Sequence, residues 1–318
     1  VKLNIVETSS ADITQGLEDM VYQLDEPIAD PAALNVYLIS QHARKMGIKV
    51  LLSGAGGDDL FTGYRRHQAL ASEKFWEWLP LFARKLFQRS LNKYPIFNNL
   101  RRIKKLADTS LLDPKLRMIA YHLWASSDLL QSLFRDEFHE YILDNMIAEP
   151  MLLHLSNLPA SLNRTEQMLS LEQRFFLSEH NLIYTDKMSM AASVEVRVPF
   201  LDHDLVKFAH NIPTKYKQFL FEGKWVLKKA MEPYFPKSLI YRPKTGFGVP
   251  LRSWMQNELD EMKKDLLSEQ TVKSRGIFKH QNVTKLINDT AAGTIDGSYT
   301  LLSLMCIELW MRKFSISY

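Results

Sequence analysis

The chain has 318 residues, 46% of them apolar, and its 40 basic and 36 acidic side chains leave a net charge of +4. That length accommodates one large or two ordinary domains with a sizeable core, and so mild a charge does not by itself point to nucleic acid. One cysteine, Cys306, excludes a disulfide framework, and its apolar helical surroundings assign it to core packing. No apolar run reaches the roughly 18 residues of a membrane span and no secretory leader opens the sequence, so a cytoplasmic location is expected.

In chain order, VKLNIVE reads as a strand already under way, which predicts an N-terminally truncated fold. DPAALNVYLISQHARKMG follows, with Asp30 suited to cap a helix, Pro31 to its first turn and Gly47 to its stop. IKVLL then reads as a buried strand, SGAGG as a loop, and a further helix is predicted from Asp58. Helix, strand, glycine loop and helix in that order are the grammar of a parallel α/β sheet. From about Ser72 to Asn163 the patterns turn helical. The predicted organisation is therefore an α/β core from 1–70 and 164–255, a helical insertion at 71–163, and C-terminal helices at 256–318.

Three stretches carry charge or glycine where chemistry could use it. In LLSGAGGDDLFTGYRRH, glycines let backbone amides approach a ligand, and a strand feeding such a loop aims N–H groups at one point. A carboxylate beside a bound phosphate needs a cation between them, so Asp58 or Asp59 points to Mg²⁺ shared with a phosphate. A turn with a helix-capping aspartate is the plain alternative, and no Lys-Ser or Lys-Thr follows to make a Walker loop. In YTDKMSMAASVEVRVPFLDHDL, Glu195 and Arg197 lie two apart, so an extended segment puts them on one face as a pair. Met188 and Met190 are predicted core residues. In RPKTGFG, Lys244 sits between Pro243 and the hinge glycines Gly246 and Gly248, where it can close over a phosphate.

Together, SGAGGDDLFTGY, TDKMSMAASVEVRVPFLD and RPKTGFGVP resemble the synthetase domain of the glutamine-dependent asparagine synthetases. LDEPIADPAALNVYLIS and LLSLMCIELWMRKF extend the likeness over about Leu24 to Phe314. The resemblance implies an adenine-nucleotide-binding fold of the ATP-pyrophosphatase (HUP-like) type and ATP-dependent amide formation with Mg²⁺. A substrate carboxylate would attack the α-phosphate of ATP to give an acyl-adenylate, and ammonia from a glutaminase domain would displace AMP. Carried over by position, Ser53, Gly54, Gly56 and Gly57 are the nucleotide loop and Asp58 the catalytic metal ligand. Lys244 is the catalytic lysine and Lys187 a phosphate contact. Asp186, Glu195 and Arg197 are placed on the acceptor side. The partners implied are small molecules, aspartate or another carboxylate and ammonia, with a homodimer open and neither nucleic acid nor a transmembrane segment expected.

Three departures qualify the likeness. Ala55 stands where the family commonly has glutamate, as SGEG, which leaves open acceptors other than aspartate, such as a β-lactam precursor or a sugar acid of a surface polysaccharide. The N-terminal cysteine nucleophile of a glutaminase domain is absent, and the pyrophosphate loop SGGxDS is expected before residue 1, so the piece alone is expected to be inactive. A rival reading rests on residues 84–105, which hold eight basic and no acidic side chains beside Phe75, Trp76, Trp78 and Phe82. Such a segment suits an anionic membrane or nucleic acid, as in a binding protein without catalysis.

Overall fold

A computed structural model describes residues 3–7, 9–91, 100–141, 148–243 and 246–316. Two helices packed on each other open it: α1 (Ser10–Leu24), started by a reciprocal Ser9–Asp12 cap, and α2 (Pro31–Lys45). The Asp30 carboxylate accepts from the Ala32 amide at 2.8 Å, and Gly47 adopts φ +78° just past the end, as the sequence predicts for this helix. Strand β1 (Val50–Leu52) follows, then a single helical turn α3 (Gly57–Leu60), and α4 (Arg65–Ser72).

The next hundred residues are helical: α5 (Leu81–Leu91), α6 (Leu100–Thr109), α7 (Pro114–Ala120), α8 (Ser127–Leu133), α9 (Glu149–Asn157) and α10 (Arg164–Leu171). Without a break, α10 widens into a π-helical segment, Glu172–Asn181, and narrows again as α11 (Leu182–Ala191). Strand β2 (Glu195–Arg197) then runs parallel to β1 with Val50 opposite Glu195 and Leu52 opposite Arg197. After α12 (His203–Asn211) and α13 (Thr214–Lys217), β3 (Gln218–Phe219) and β4 (Glu222–Gly223) form a small antiparallel ribbon. Helices α14 (Trp225–Met231) to α20 (Ser298–Lys313) complete the chain.

Three apolar clusters hold these elements. The largest joins α1, α2 and α11 to the C-terminal helices through side chains such as Met20, Leu34, Met188, Leu301 and Met305, so the terminal helices share a core with the first ones. A second, built on Leu70, Met118, Ile119, Met168 and Leu171, belongs to the helical middle of the chain. The third, Leu60, Phe61 and Ala209, packs α3 against α12. Cys306 is fully buried, and burial pushes its thiol up to about 12, as expected of a packing residue.

Several predicted features differ. The parallel pairing is present, but the sheet has two strands among the described residues, and Val50 and Leu52 are exposed rather than buried. A parallel strand is covered only when helices or neighbours close both faces, and here β2 is the one neighbour of β1 among the described residues. Residues 3–7 form no strand, with Leu3 and Ile5 exposed, because no described segment offers them a ladder partner. Met188 is buried as predicted, whereas Met190 on the opposite side of α11 is exposed. No helix among the described residues is long and apolar enough to cross a membrane.

Candidate active site

A cavity of about 1100 Å³ opens where β1 ends. Ser53, Gly54, Ala55 and Asp58 form one wall, α2 contributes Val36, Ile39 and Ser40, and Gly246, Phe247 and Gly248 come from the RPKTGFG stretch. The Asn35 side-chain amide donates to the Phe247 carbonyl at 3.2 Å and fastens that loop to α2. Lys244 lies outside the described residues.

The glycine loop is built for close approach. The Ser53 amide donates to the Arg197 carbonyl at 2.8 Å, which extends the parallel ladder one residue past β1. The Gly54 and Gly56 amides find no protein acceptor among the described residues, and a side chain on Gly54 would meet nothing within 4 Å. Gly56 is different: its φ of +87° and a gap of 2.5 Å from a built Cβ to Leu201 Cδ2 require glycine for the turn and its packing. The helix predicted after the loop is one turn long, so its backbone amides contribute locally and its macrodipole adds little.

Asp58 reaches the cavity and pairs with Lys224, whose Nζ lies 3.1 Å from Oδ2. Lys224 itself and the nearby Thr62 are both held in left-handed backbone, each at φ 57°, and a β-branched residue there stores strain. The buried Thr62 hydroxyl donates to the Lys217 carbonyl at 3.0 Å and the Lys224 amide to the Phe61 carbonyl at 2.7 Å, which together fix the turn. Gly63 closes against it so tightly that a Cβ would fall 1.8 Å from Asp58 Oδ1 and 2.4 Å from Lys224 Cε.

Behind this wall lies a buried polar layer. Asp59 is almost fully buried and accepts from the Tyr64 hydroxyl at 3.2 Å. Burial, reinforced by the nearby Glu172 charge, raises its carboxyl to about 7. Glu172, at the start of the π-helical segment, is fully buried and receives a bidentate Arg66 guanidinium, with His122 Nε2 3.3 Å and His67 Nε2 3.6 Å away. Burial alone would raise Glu172, but the hydrogen bonds from Arg66, with the His122 ring close by, outweigh it and hold the carboxyl at about 2. Burial lowers His67 to about 4, so that ring is neutral at pH 7. The Arg66 guanidinium is also sandwiched 4.1 Å from the Tyr64 ring centre and 4.0 Å from that of Phe176.

The remaining predicted residues fall elsewhere. On α11, Tyr184 and Thr185 line the cavity, whereas Lys187, two positions further round the helix, donates to the Leu24 carbonyl at 2.9 Å and Asp25 at 2.7 Å. Asp186 is exposed. On β2, Val196 faces the cavity, so the alternation of a strand turns Glu195 and Arg197 to the other side, where they pair at 2.8 Å in solvent. Gly57 is buried against Phe200. The basic stretch is divided: Arg84 donates to the Ser110 carbonyl, Arg101 pairs with Asp296 at 3.3 Å, and Arg102 and Lys105 line the cavity.

A family model described as asparagine synthase matches residues 2–312. The chain belongs to the asparagine synthase family. It is 26% identical over 295 positions to asparagine synthetase [glutamine-hydrolyzing] 1 of Bacillus subtilis, covering 92% of this chain and 45% of that protein. A putative asparagine synthetase [glutamine-hydrolyzing] of Mycobacterium bovis is 29% identical over 318 positions, 98% of this chain and 46% of its own length. Amidase chyE of Penicillium rubens is 26% identical over 314 positions, 90% of this chain and 44% of its own. The chain thus spans about half the length of the curated relatives it matches. Family membership carries the HUP-type nucleotide-binding fold and carbon–nitrogen ligase class, within a mostly helical chain that has small sheets.

Proposed function

We propose that this cavity is the adenylating site of an ATP-dependent amide ligase whose nitrogen comes from glutamine in the complete protein. The observation that carries the reading is the meeting, on one cavity, of the Ser53–Ala55 loop, Asp58 and the Gly246–Gly248 loop. The acceptor's carboxylate oxygen forms a bond to the α-phosphorus of ATP as the bond to pyrophosphate breaks. Ammonia then attacks the acyl carbon, AMP leaves, and the nitrogen loses a proton to give the amide.

Each wall has a part in this. Among the described residues the amides of Gly54 and Gly56 have no protein acceptor, which suits them to phosphate oxygens. Val36, Ile39 and Leu51 make an apolar floor beside the buried Ser40 hydroxyl, which has no hydrogen-bond partner among the described residues and suits the polar edge of an adenine ring. The described residues hold no cluster of three or more metal-ligating side chains, which fits Mg²⁺ held by one carboxylate, Asp58, and completed by phosphate oxygens and water. When bound, that ion would neutralise charge on the departing diphosphate. Lys244, the RPKTGFG lysine outside the described residues, is assigned the cation that meets negative charge on the phosphates. Lys187, tied to Leu24 and Asp25, serves better as a brace for α11 than as a phosphate ligand.

The full-length protein is expected to release AMP and pyrophosphate in equal amounts when given ATP, Mg²⁺, ammonia and its carboxylic acid. Lys244→Ala should lower the rate by on the order of 100-fold while nucleotide affinity changes little. Release of ADP and phosphate, or an unchanged rate in the variant, would defeat the reading. Gly63→Ala gives a second test, since the added methyl must displace the Asp58 carboxylate. A stability loss of about 1–3 kcal/mol with a drop in rate comparable to that of Asp58→Asn is expected; full activity in a folded variant would show that the carboxylate's position is immaterial.

A further inference from the structure

Part of the cavity lining is strongly cationic. Arg102 and Lys105, on successive positions of one face of α6, line the cavity together with Arg65 and Arg66. Arg66 is neutralised by Glu172. Among the described residues Arg102 has no carboxylate within ion-pair distance, and Lys105 donates only to the Leu123 carbonyl, at 2.8 Å. Burial lowers the Arg65 pKa and the neighbouring Arg102 charge lowers it further, so two guanidinium groups stand close enough to repel. Lys105 is open to the cavity yet ringed by protein, and burial and the Arg66 and Arg101 charges bring it down to about 8 against the opposing pull of Asp296. Like charges gathered around a concave, partly desolvated space raise the local concentration of anions.

The carboxylates on the same cavity are already engaged. Asp30 accepts from the Ala32 amide and from His180 Nε2, each at 2.8 Å, and Asp58 belongs to the loop wall. Ala55 adds none. The nearest further carboxylate, Asp296, is outside the cavity lining and paired with Arg101 and Arg252, so an ammonium group placed beside α6 would meet cations and no unpaired carboxylate of that lining. The half-exposed ring of Trp124, 4.6 Å from Tyr299, offers a flat face beside those cations, of the kind on which a ring-bearing ligand stacks.

We propose that Arg102 and Lys105 read the acceptor: the acid activated here carries a second anionic group, a phosphate or carboxylate, and no ammonium. This rests on the adenylating function proposed above and names the substrate class of that site. The carboxylate to be amidated lies toward Ser53–Asp58 and the second anion toward α6.

The test uses the full-length protein, with glucuronic acid, glucuronic acid 1-phosphate and aspartate as probes of acid-dependent pyrophosphate release. Binding of a non-hydrolysable ATP analogue is measured in parallel. The phosphorylated acid is expected to have a KM about tenfold or more below that of glucuronic acid, the scale of a charge-assisted hydrogen bond. Arg102→Gln and Lys105→Gln should each raise that KM by about tenfold, with kcat within about twofold and analogue affinity unchanged. A lower KM for aspartate, an unchanged KM in both variants, or turnover with none of the three acids while the analogue still binds would overturn the proposal. Failure to bind the analogue at all would remove the adenylating function itself.

Discussion

Asp58→Asn in the full-length protein is expected to cut acid-dependent pyrophosphate release by about 100- to 1,000-fold, the scale seen when one group aimed at developing charge is removed. Two effects compete at this position. If Asp58 served only as the partner of Lys224, both side chains being about a quarter exposed, the change would remove a surface-type ion pair. That contributes about 1 kcal/mol or less and would leave the chemistry intact. If Asp58 anchors the ion on the leaving diphosphate, asparagine keeps the shape but lacks the charge, and stability barely moves while the rate collapses. Measuring the denaturation midpoint and the pyrophosphate rate on the same preparation separates them. A stability loss with normal turnover would assign Asp58 to the fold alone.

Glu172→Gln should destabilise the full-length protein's synthetase region by about 3–5 kcal/mol at pH 7.5, because it leaves the Arg66 guanidinium buried without its counter-charge. The side chain of Glu172 is fully buried and that of Arg66 is 14% exposed, so solvent screens this pair little. The double change Arg66→Met with Glu172→Leu is expected to recover part of the loss, since it removes the uncompensated charge along with its partner. The pH dependence follows from the same layer. Glu172 is held at about 2 against an ordinary value near 4.5, so its contribution is complete above pH 4.5 and lost as the pH falls through 2. His67, held at about 4 against 6.5, adds a loss of stability as the pH falls from 6.5 through 4. Asp59 runs the other way: its folded form keeps a proton up to about 7, so it withdraws stability as the pH rises from 3.8 to 7. Chemical denaturation of wild type and Glu172→Gln at pH 3 and 7.5 measures this, the difference between them being expected to shrink at pH 3; indistinguishable midpoints at pH 7.5 would mean that the pair contributes nothing.

Local chemistry made some of this legible in the sequence and left the rest hidden. The cap at Asp30, the stop at Gly47 and the strand-to-loop turn at Ser53 depend on neighbours a few residues away, and all appear where their residue types placed them. The loop glycines could be recognised, but not that Gly54 faces open space whereas Gly56 is needed against Leu201. The pairing of Glu195 with Arg197 was legible, but which side of its element faces the cavity was not. Thr185 and Lys187 on α11 diverge around a helix, and Val196 alternates with Glu195 and Arg197 on β2, so dense motif charges turned away from the cavity. The π-helical segment had no sequence mark, yet its widened turns bring Glu172, Phe176 and Asn181 to the same side as Tyr64 and Arg66. Arg102 and Lys105 were visible only as part of a basic run, and only the packing of α6 directs them into the cavity rather than toward a membrane or nucleic acid.

The most direct measurement is a crystal structure of the full-length protein with a non-hydrolysable ATP analogue and Mg²⁺. The α-phosphate is expected within hydrogen-bond reach of the Ser53–Gly56 amides, with the metal bridging Asp58 and the diphosphate. A nucleotide seated outside the cavity, or Asp58 still paired with Lys224 and bare of metal beside a bound nucleotide, would contradict the account.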